Sequence, residues 1–203
     1  QGRPVPMTGN LKPMIQDGNR LYGLVDWDRQ PPVGGDTTLR LVVFARDSDR
    51  VAWSPKGSVD LPAYTLAHSP QPPLPDMFVE GNRVYVAGYE DDTSATLEIV
   101  DVADAAAPRL AGRLELPDVV AGLAAASDYV YAAEWSNDAA TRLKVIDVTD
   151  AATARQVAEV QTVGQISDIV VAEGRAFVIG GGGLEIFDLA DPARPRSLGA
   201  PMP

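Results

Sequence analysis

The octapeptide Leu97-Glu98-Ile99-Val100-Asp101-Val102-Ala103-Asp104 returns without gaps as Leu143-Lys144-Val145-Ile146-Asp147-Val148-Thr149-Asp150 and as Leu184-Glu185-Ile186-Phe187-Asp188-Leu189-Ala190-Asp191. A second block precedes each copy. Gly81-Asn82-Arg83-Val84-Tyr85-Val86-Ala87-Gly88 matches Ser127-Asp128-Tyr129-Val130-Tyr131-Ala132-Ala133-Glu134, and both match Gly174-Arg175-Ala176-Phe177-Val178-Ile179-Gly180. Its aromatic falls at Tyr85, Tyr131 and Phe177, 46 residues apart in both steps. Two blocks that keep one order three times define a tandem repeat of roughly 45 residues. A degenerate copy stands ahead of these, with Gly18-Asn19-Arg20-Leu21-Tyr22 and Leu39-Arg40-Leu41-Val42-Val43-Phe44. There Val43 and Arg46 take the places of the two aspartates.

Each copy reads as four short strands. Apolar and β-branched residues alternate, and no window carries a helical period bounded by caps. The copy beginning at Met77 gives strands over 77–80, 83–88, 96–102 and 109–116. The turns Asp17-Gly18-Asn19, Glu80-Gly81-Asn82, Ser127-Asp128 and Glu173-Gly174 suit hairpins that need positive φ. Four antiparallel strands in about 45 residues make one blade of a β-propeller. The fold class is therefore all-β: a propeller of four four-stranded antiparallel blades. It closes either as a four-bladed ring or as half of a larger ring. The whole of 1–203 is one domain, with blades at about 12–61, 76–117, 120–163 and 167–199 and a proline-rich connection at 61–75.

The run Ile99-Val100-Asp101-Val102-Ala103-Asp104, followed by Pro108-Arg109-Leu110, resembles the LVIVD-repeat family of bacterial β-propellers. Asp188–Arg196 keeps both prolines of that pattern, Asp147–Arg155 has lost them, and the first copy lacks the aspartates. The resemblance covers 76–199 well and 12–60 weakly. It implies a propeller, a surface-exposed or secreted location, and no shared catalytic activity. From their chemistry alone, Asp101, Asp147 and Asp188 end a strand and accept backbone N–H bonds in the corner that follows. Tyr22, Tyr85, Tyr131 and Phe177 read as core between blades.

Composition excludes several classes. The chain carries 28 acidic and 17 basic side chains, a formal charge of −11. Binding phosphates needs a surplus of lysine and arginine, so nucleic acid is not the partner, and anionic lipid is disfavoured for the same reason. No apolar run approaches the ~18 residues of a membrane span. Cysteine is absent, which removes disulfides, thiolate nucleophiles, zinc–cysteine sites and iron–sulfur clusters. A cleaved secretory leader would fit the opening Gln1.

Catalytic patterns are missing. There is no G-x-S-x-G, H-E-x-x-H, Walker or EF-hand loop, and one histidine in all. Gly180–Gly183 lacks the following Lys-Ser/Thr and reads as a short flexible hairpin loop. Lys12 and Lys144 read as solvated. No catalytic residue, metal ligand or cofactor is assigned.

One face stands out. The loops from strand two to strand three, and from the outer strand to the next blade, share a side of a propeller. Here they bring Trp27, Asp28, Tyr89, Asp91, Asp92, Trp135 and Asp138, together with Tyr64 and His68 on the 61–75 connection. Aromatics beside acids mark recognition surfaces, and long ordered loops are disproportionately functional. Pro62, Pro70, Pro72, Pro73 and Pro75 remove five backbone donors, so 61–75 is expected to stay out of the sheets as an extended strap. Charge is uneven as well: residues 1–60 hold 8 basic and 7 acidic side chains, and residues 61–203 hold 9 and 21. A partner meeting the later blades is basic or neutral.

The expected function is thus a non-enzymatic, extracytoplasmic (periplasmic, cell-surface or secreted) propeller that binds protein as a scaffold. A homodimer and an accessory subunit of an envelope complex both fit. The alternative is a calcium-dependent hydrolase or lactonase-like propeller, with carboxylates such as Asp76, Asp118 and Asp168 at the inner-strand ends.

Overall fold

A computed structural model describes residues 11–26, 37–46, 52–64, 76–89, 94–135 and 141–199. Sixteen strands form four antiparallel sheets, each in simple sequence order. Blade one is β1 (Leu11–Asp17), β2 (Arg20–Asp26), β3 (Thr37–Arg46) and β4 (Trp53–Tyr64). Blade two is β5 (Asp76–Glu80), β6 (Arg83–Tyr89), β7 (Ala95–Asp101) and β8 (Arg109–Leu116). Blade three is β9 (Val119–Ala126), β10 (Tyr129–Trp135), β11 (Thr141–Asp147) and β12 (Arg155–Gln161), with a 3-10 turn at Ala151–Thr153. Blade four is β13 (Ile166–Ala172), β14 (Arg175–Gly180), β15 (Gly183–Asp188) and β16 (Arg196–Ser197). These are the four four-stranded antiparallel blades of a β-propeller. No helix of the described residues is long and apolar enough to cross a membrane.

Contacts divide the chain into two compact units, Gln1–Asp92 with Glu98–Ala111, and Thr93–Leu97 with Gly112–Pro203. In the first, inner strand β1 lies beside β5; in the second, β9 lies beside β13. Third strands are the most deeply buried. Leu97, Ile99, Val100, Leu143, Val145 and Ile146 are all fully buried, as expected of central strands covered on both faces. Tyr22, Tyr85 and Tyr131 are buried with them.

The repeated aspartates fasten the corners. Asp101 Oδ1 accepts Ala103 N at 2.9 Å and Asp104 Oδ1 accepts Ala106 N at 2.9 Å. Asp147 and Asp150 do the same for Thr149 and Ala152 at 3.0 Å, and Asp188 and Asp191 for Ala190 and Ala193 at 3.0 and 3.2 Å. The other oxygen of the first aspartate takes an arginine eight residues on, Arg109 on Asp101 and, at 2.6 Å, Arg155 on Asp147. Hydrogen bonds from Thr149, then the Arg155 charge, hold the Asp147 carboxyl below its usual range. Ser127 and Asp128 both adopt left-handed backbone, φ 53° and 65°, in the β9–β10 turn.

Two expectations need correction. Leu61–Tyr64 belongs to a sheet, since β4 runs through Tyr64, pairing Leu61 with Leu39 and Tyr64 with Thr37. Pro55 and Pro62 are tolerated because β4 is an edge strand and its register shifts beside both, between Val43 and Phe44 and between Thr37 and Leu39. Residues 65–75 lie outside the described residues. The glycine loop is packed, and the expected flexibility does not describe it. Gly181 N donates to Gln165 O at 2.8 Å, and a Cβ on Gly180 or Gly182 would come within 2.0 Å of Gln165 O or Val163 O.

Candidate functional site

Antiparallel pairing puts the ends of the second and fourth strands of a blade at one edge, with the Asp-x-x-Asp corners at the other. Tyr89 ends β6, Trp135 ends β10 and Tyr64 ends β4. Each expected site residue that is described therefore sits at the loop edge of its own sheet. Trp135 is placed by backbone pairing to Val119 on one side and Thr141 on the other. Trp27, Asp28, His68, Asp91, Asp92 and Asp138 lie outside the described residues.

The loop edge of blade three carries a constellation that the sequence pattern does not assemble. Glu134, next to Trp135, is fully buried on β10, directly opposite Arg142 of β11. Lys144, two residues further along β11, is also buried, and its Nζ forms an ion pair with Glu134 Oε2. The same Nζ lies 3.3 Å from Asp118 Oδ2, which Arg142 Nη1 approaches at 3.6 Å. Arg142 Nε reaches Glu159 Oε1 at 3.2 Å on β12. Three carboxylates and two cations thus alternate across β10, β11, β12 and the residue before β9.

Electrostatics single out Glu134. Burial pushes its carboxyl up, Lys144 pulls it back, and the charges of Asp118 and Glu159 push it up again, leaving it at about 7. Lys144 lowers it both as a hydrogen-bond partner and as a charge. A carboxyl poised near neutrality beside a lysine can hold or release a proton at ordinary pH.

Lys144 departs from the expectation of a solvated side chain. The strand covered on both faces explains its burial: alternation no longer sorts residues into inside and outside. The same repeat position holds Arg40, Glu98 and Glu185. Glu98 is buried, and burial raises its carboxyl to about 8. Glu185 is buried as well and accepts Val163 N at 2.6 Å. A charge at this one repeat position in every blade, between two apolar neighbours, is the signal in the sequence that points to these residues.

Hydroxyls secure the adjoining connection. Thr162 Oγ1 donates to Thr141 Oγ1 at 2.8 Å, and Thr141 Oγ1 donates to Gly164 O at 2.6 Å. The inner-strand carboxylates do not form one set. Asp76 and Asp168 hold the same register, opposite Ala87 and Ile179, and each accepts the next backbone N–H at 2.8 Å. In blade three that register belongs to Gly122, opposite Ala133, while Asp118 lies four residues earlier on Lys144. No group of three or more metal-ligating side chains occurs among the described residues.

At the corner edge of the first unit, a groove of about 500 Å³ separates the β1–β2 turn from the blade-two corner. Arg20 crosses it to donate to Val102 O at 2.6 Å and Ala103 O at 3.2 Å, tying blade one to blade two.

Comparison with known proteins agrees with this architecture. The chain carries LVIVD repeats: the family model described as LVIVD repeat matches residues 75–115 and 163–200. Among solved structures, it is similar to the periplasmic gluconolactonase PpgL of Pseudomonas aeruginosa, with a TM-score of 0.65 and 14% sequence identity over 95% of this chain. The chain spans 57% of the length of that protein. No curated protein matches.

Proposed function

We propose that the chain is a non-enzymatic, extracytoplasmic propeller module that holds a protein partner of basic or neutral surface on its loop edge. The carrying observation is that Trp135 follows Glu134 at the end of β10, and Glu134 is buried and paired with Lys144, which also reaches Asp118. A recognition residue carried at the end of an internally paired strand suits binding, because the backbone that presents it loses little freedom. Trp27 is the residue after β2 in the sequence of blade one, and Tyr64 and Tyr89 end strands at the same kind of edge. The LVIVD repeats and the periplasmic setting of the structurally similar gluconolactonase support an extracytoplasmic location. The test is capture from an envelope extract by the wild type and by Trp27→Ala/Trp135→Ala. The variant should keep its circular dichroism and lose the captured protein; unchanged capture would remove this face from consideration.

A second reading has one observation in its favour. Glu134, at about 7 and beside Lys144, has the poise of a general acid–base group, and the similar structure is a gluconolactonase. A panel of lactones and esters, with and without calcium, separates the readings. Turnover that disappears in Glu134→Gln favours the hydrolase; no turnover and no heat of calcium binding eliminate it.

A further inference from the structure

The groove between the β1–β2 turn and the blade-two corner has the make-up of a ligand site. Its volume of about 500 Å³ is that of a small-molecule pocket. Both walls belong to the first unit: blade one gives Asp17, Asn19, Arg20 and Lys56, and blade two gives Asn82 and Asp104. Apart from Tyr22, the apolar lining is alanine and glycine, so nothing in it suits a lipid tail or a large aromatic ring.

Tyr22 is the informative residue. Its side chain is wholly buried, and its hydroxyl has no hydrogen-bond partner among the described residues. Leaving a buried hydroxyl unpaired costs stability, so its presence calls for a reason. The repeat does not supply one, because the same position in blade four is Phe177 and the blade forms without the hydroxyl.

The rim is equally unused. Asp17, Asn19 and Asn82 are exposed, and their side chains have no partner among the described residues. Asp104 Oδ1 accepts Ala106 N at 2.9 Å, which leaves Oδ2. Arg20 is held across the groove by Val102 O and Ala103 O, with donors to spare. Two carboxylates and two cations balance here, in a chain whose net charge is −11, so the groove does not select an ion. Asp17 and Asp104 accept, Arg20 and Lys56 donate, and the two amides do both. A hydroxyl also donates and accepts, so a ligand with hydroxyls on adjacent carbons matches this alternation.

We propose that this groove binds a neutral saccharide. Asn82 stands just before β6 and Tyr89 ends it, so the groove is about 20 Å from the loop edge of the same blade. The two edges can be occupied independently.

The test is calorimetric titration of the 203-residue chain with glucose, galactose, N-acetylglucosamine, maltose and cellobiose, and with glycine and arginine as charged controls. At least one saccharide should bind with a Kd of about 1 mM or tighter. Its affinity should hold between about 50 and 500 mM sodium chloride, since no ion pair with the ligand is there to be screened. Asn19→Ala/Asn82→Ala should weaken binding at least tenfold at unchanged circular dichroism and Tm. Tyr22→Phe should also weaken it, without lowering Tm, because the free fold loses no hydrogen bond with that hydroxyl. No heat with any of the five saccharides would overturn the proposal. So would binding that Asn19→Ala/Asn82→Ala retains in full, or binding of glycine or arginine only. A Tyr22→Phe variant with lowered Tm and wild-type binding would give the hydroxyl to the fold and overturn it as well.

Discussion

At the scale of the residue, the buried charges in the third strands govern how the protein responds to pH. Glu98 and Glu134 titrate at about 8 and about 7 in the folded chain, against 4.5 when unfolded. The folded state therefore binds more protons than the unfolded state between those values, and stability falls as pH rises from about 4.5 to 8. Urea midpoints measured from pH 5 to 9 should decline, and Glu98→Gln should flatten the upper part of the decline. A Glu98→Gln profile parallel to that of the wild type would refute the assignment. Lys144 supplies a second measurement. Lys144→Met leaves Glu134 without its cation and Asp118 with Arg142 alone, and breaking a buried pair costs about 3–5 kcal/mol. The loss should be full at pH 8 and much smaller at pH 5, where Glu134 takes up a proton instead. These residues are the hardest to read from sequence. Charge in a strand signals water when one face is wet, and here neither face is. The corner aspartates are easy, because all their bonds are made within a few residues.

At the scale of the element, two local geometries carry measurable cost. Ser127-Asp128 forms its hairpin turn with two left-handed non-glycine residues. Ser127→Asn/Asp128→Gly should raise stability by about 1 kcal/mol, read as a higher urea midpoint with an unchanged slope. Gly112→Ala should act in the opposite sense, since its Cβ would overlap the Ala151 carbonyl on the neighbouring corner. A loss of several kcal/mol, or failure to fold, is expected; a Tm within a degree of the wild type would show that the corner yields. Strand number and order are legible from the period-two pattern and the glycine–asparagine turns. The end of β4 is not, because proline forbids a central strand but permits an edge. Nor can spacing reveal that Asp118 serves Lys144 while Gly122 takes the register of Asp76 and Asp168. No insertion marks the change, since Asp101 to Gly122 and Asp147 to Asp168 span the same 21 residues.

At the scale of the whole molecule, the blades differ in how well they are covered. Blade three buries both faces of its central strands, and blade four leaves one apolar face half open and ends in a two-residue strand. Opening free energies follow burial. Amide exchange should therefore be slowest in β10 and β11 and faster in β14 to β16, and equal protection would contradict the exposure pattern. The Asp–Arg corner bears on a longer timescale. The bonds that its aspartates make lie within its own blade, so a blade copied in the gene arrives with its corner already fastened. Such a protein can lengthen or shorten by whole units without redesign of the units that remain. Over evolutionary time the number of blades is then free to drift while the blade itself stays fixed.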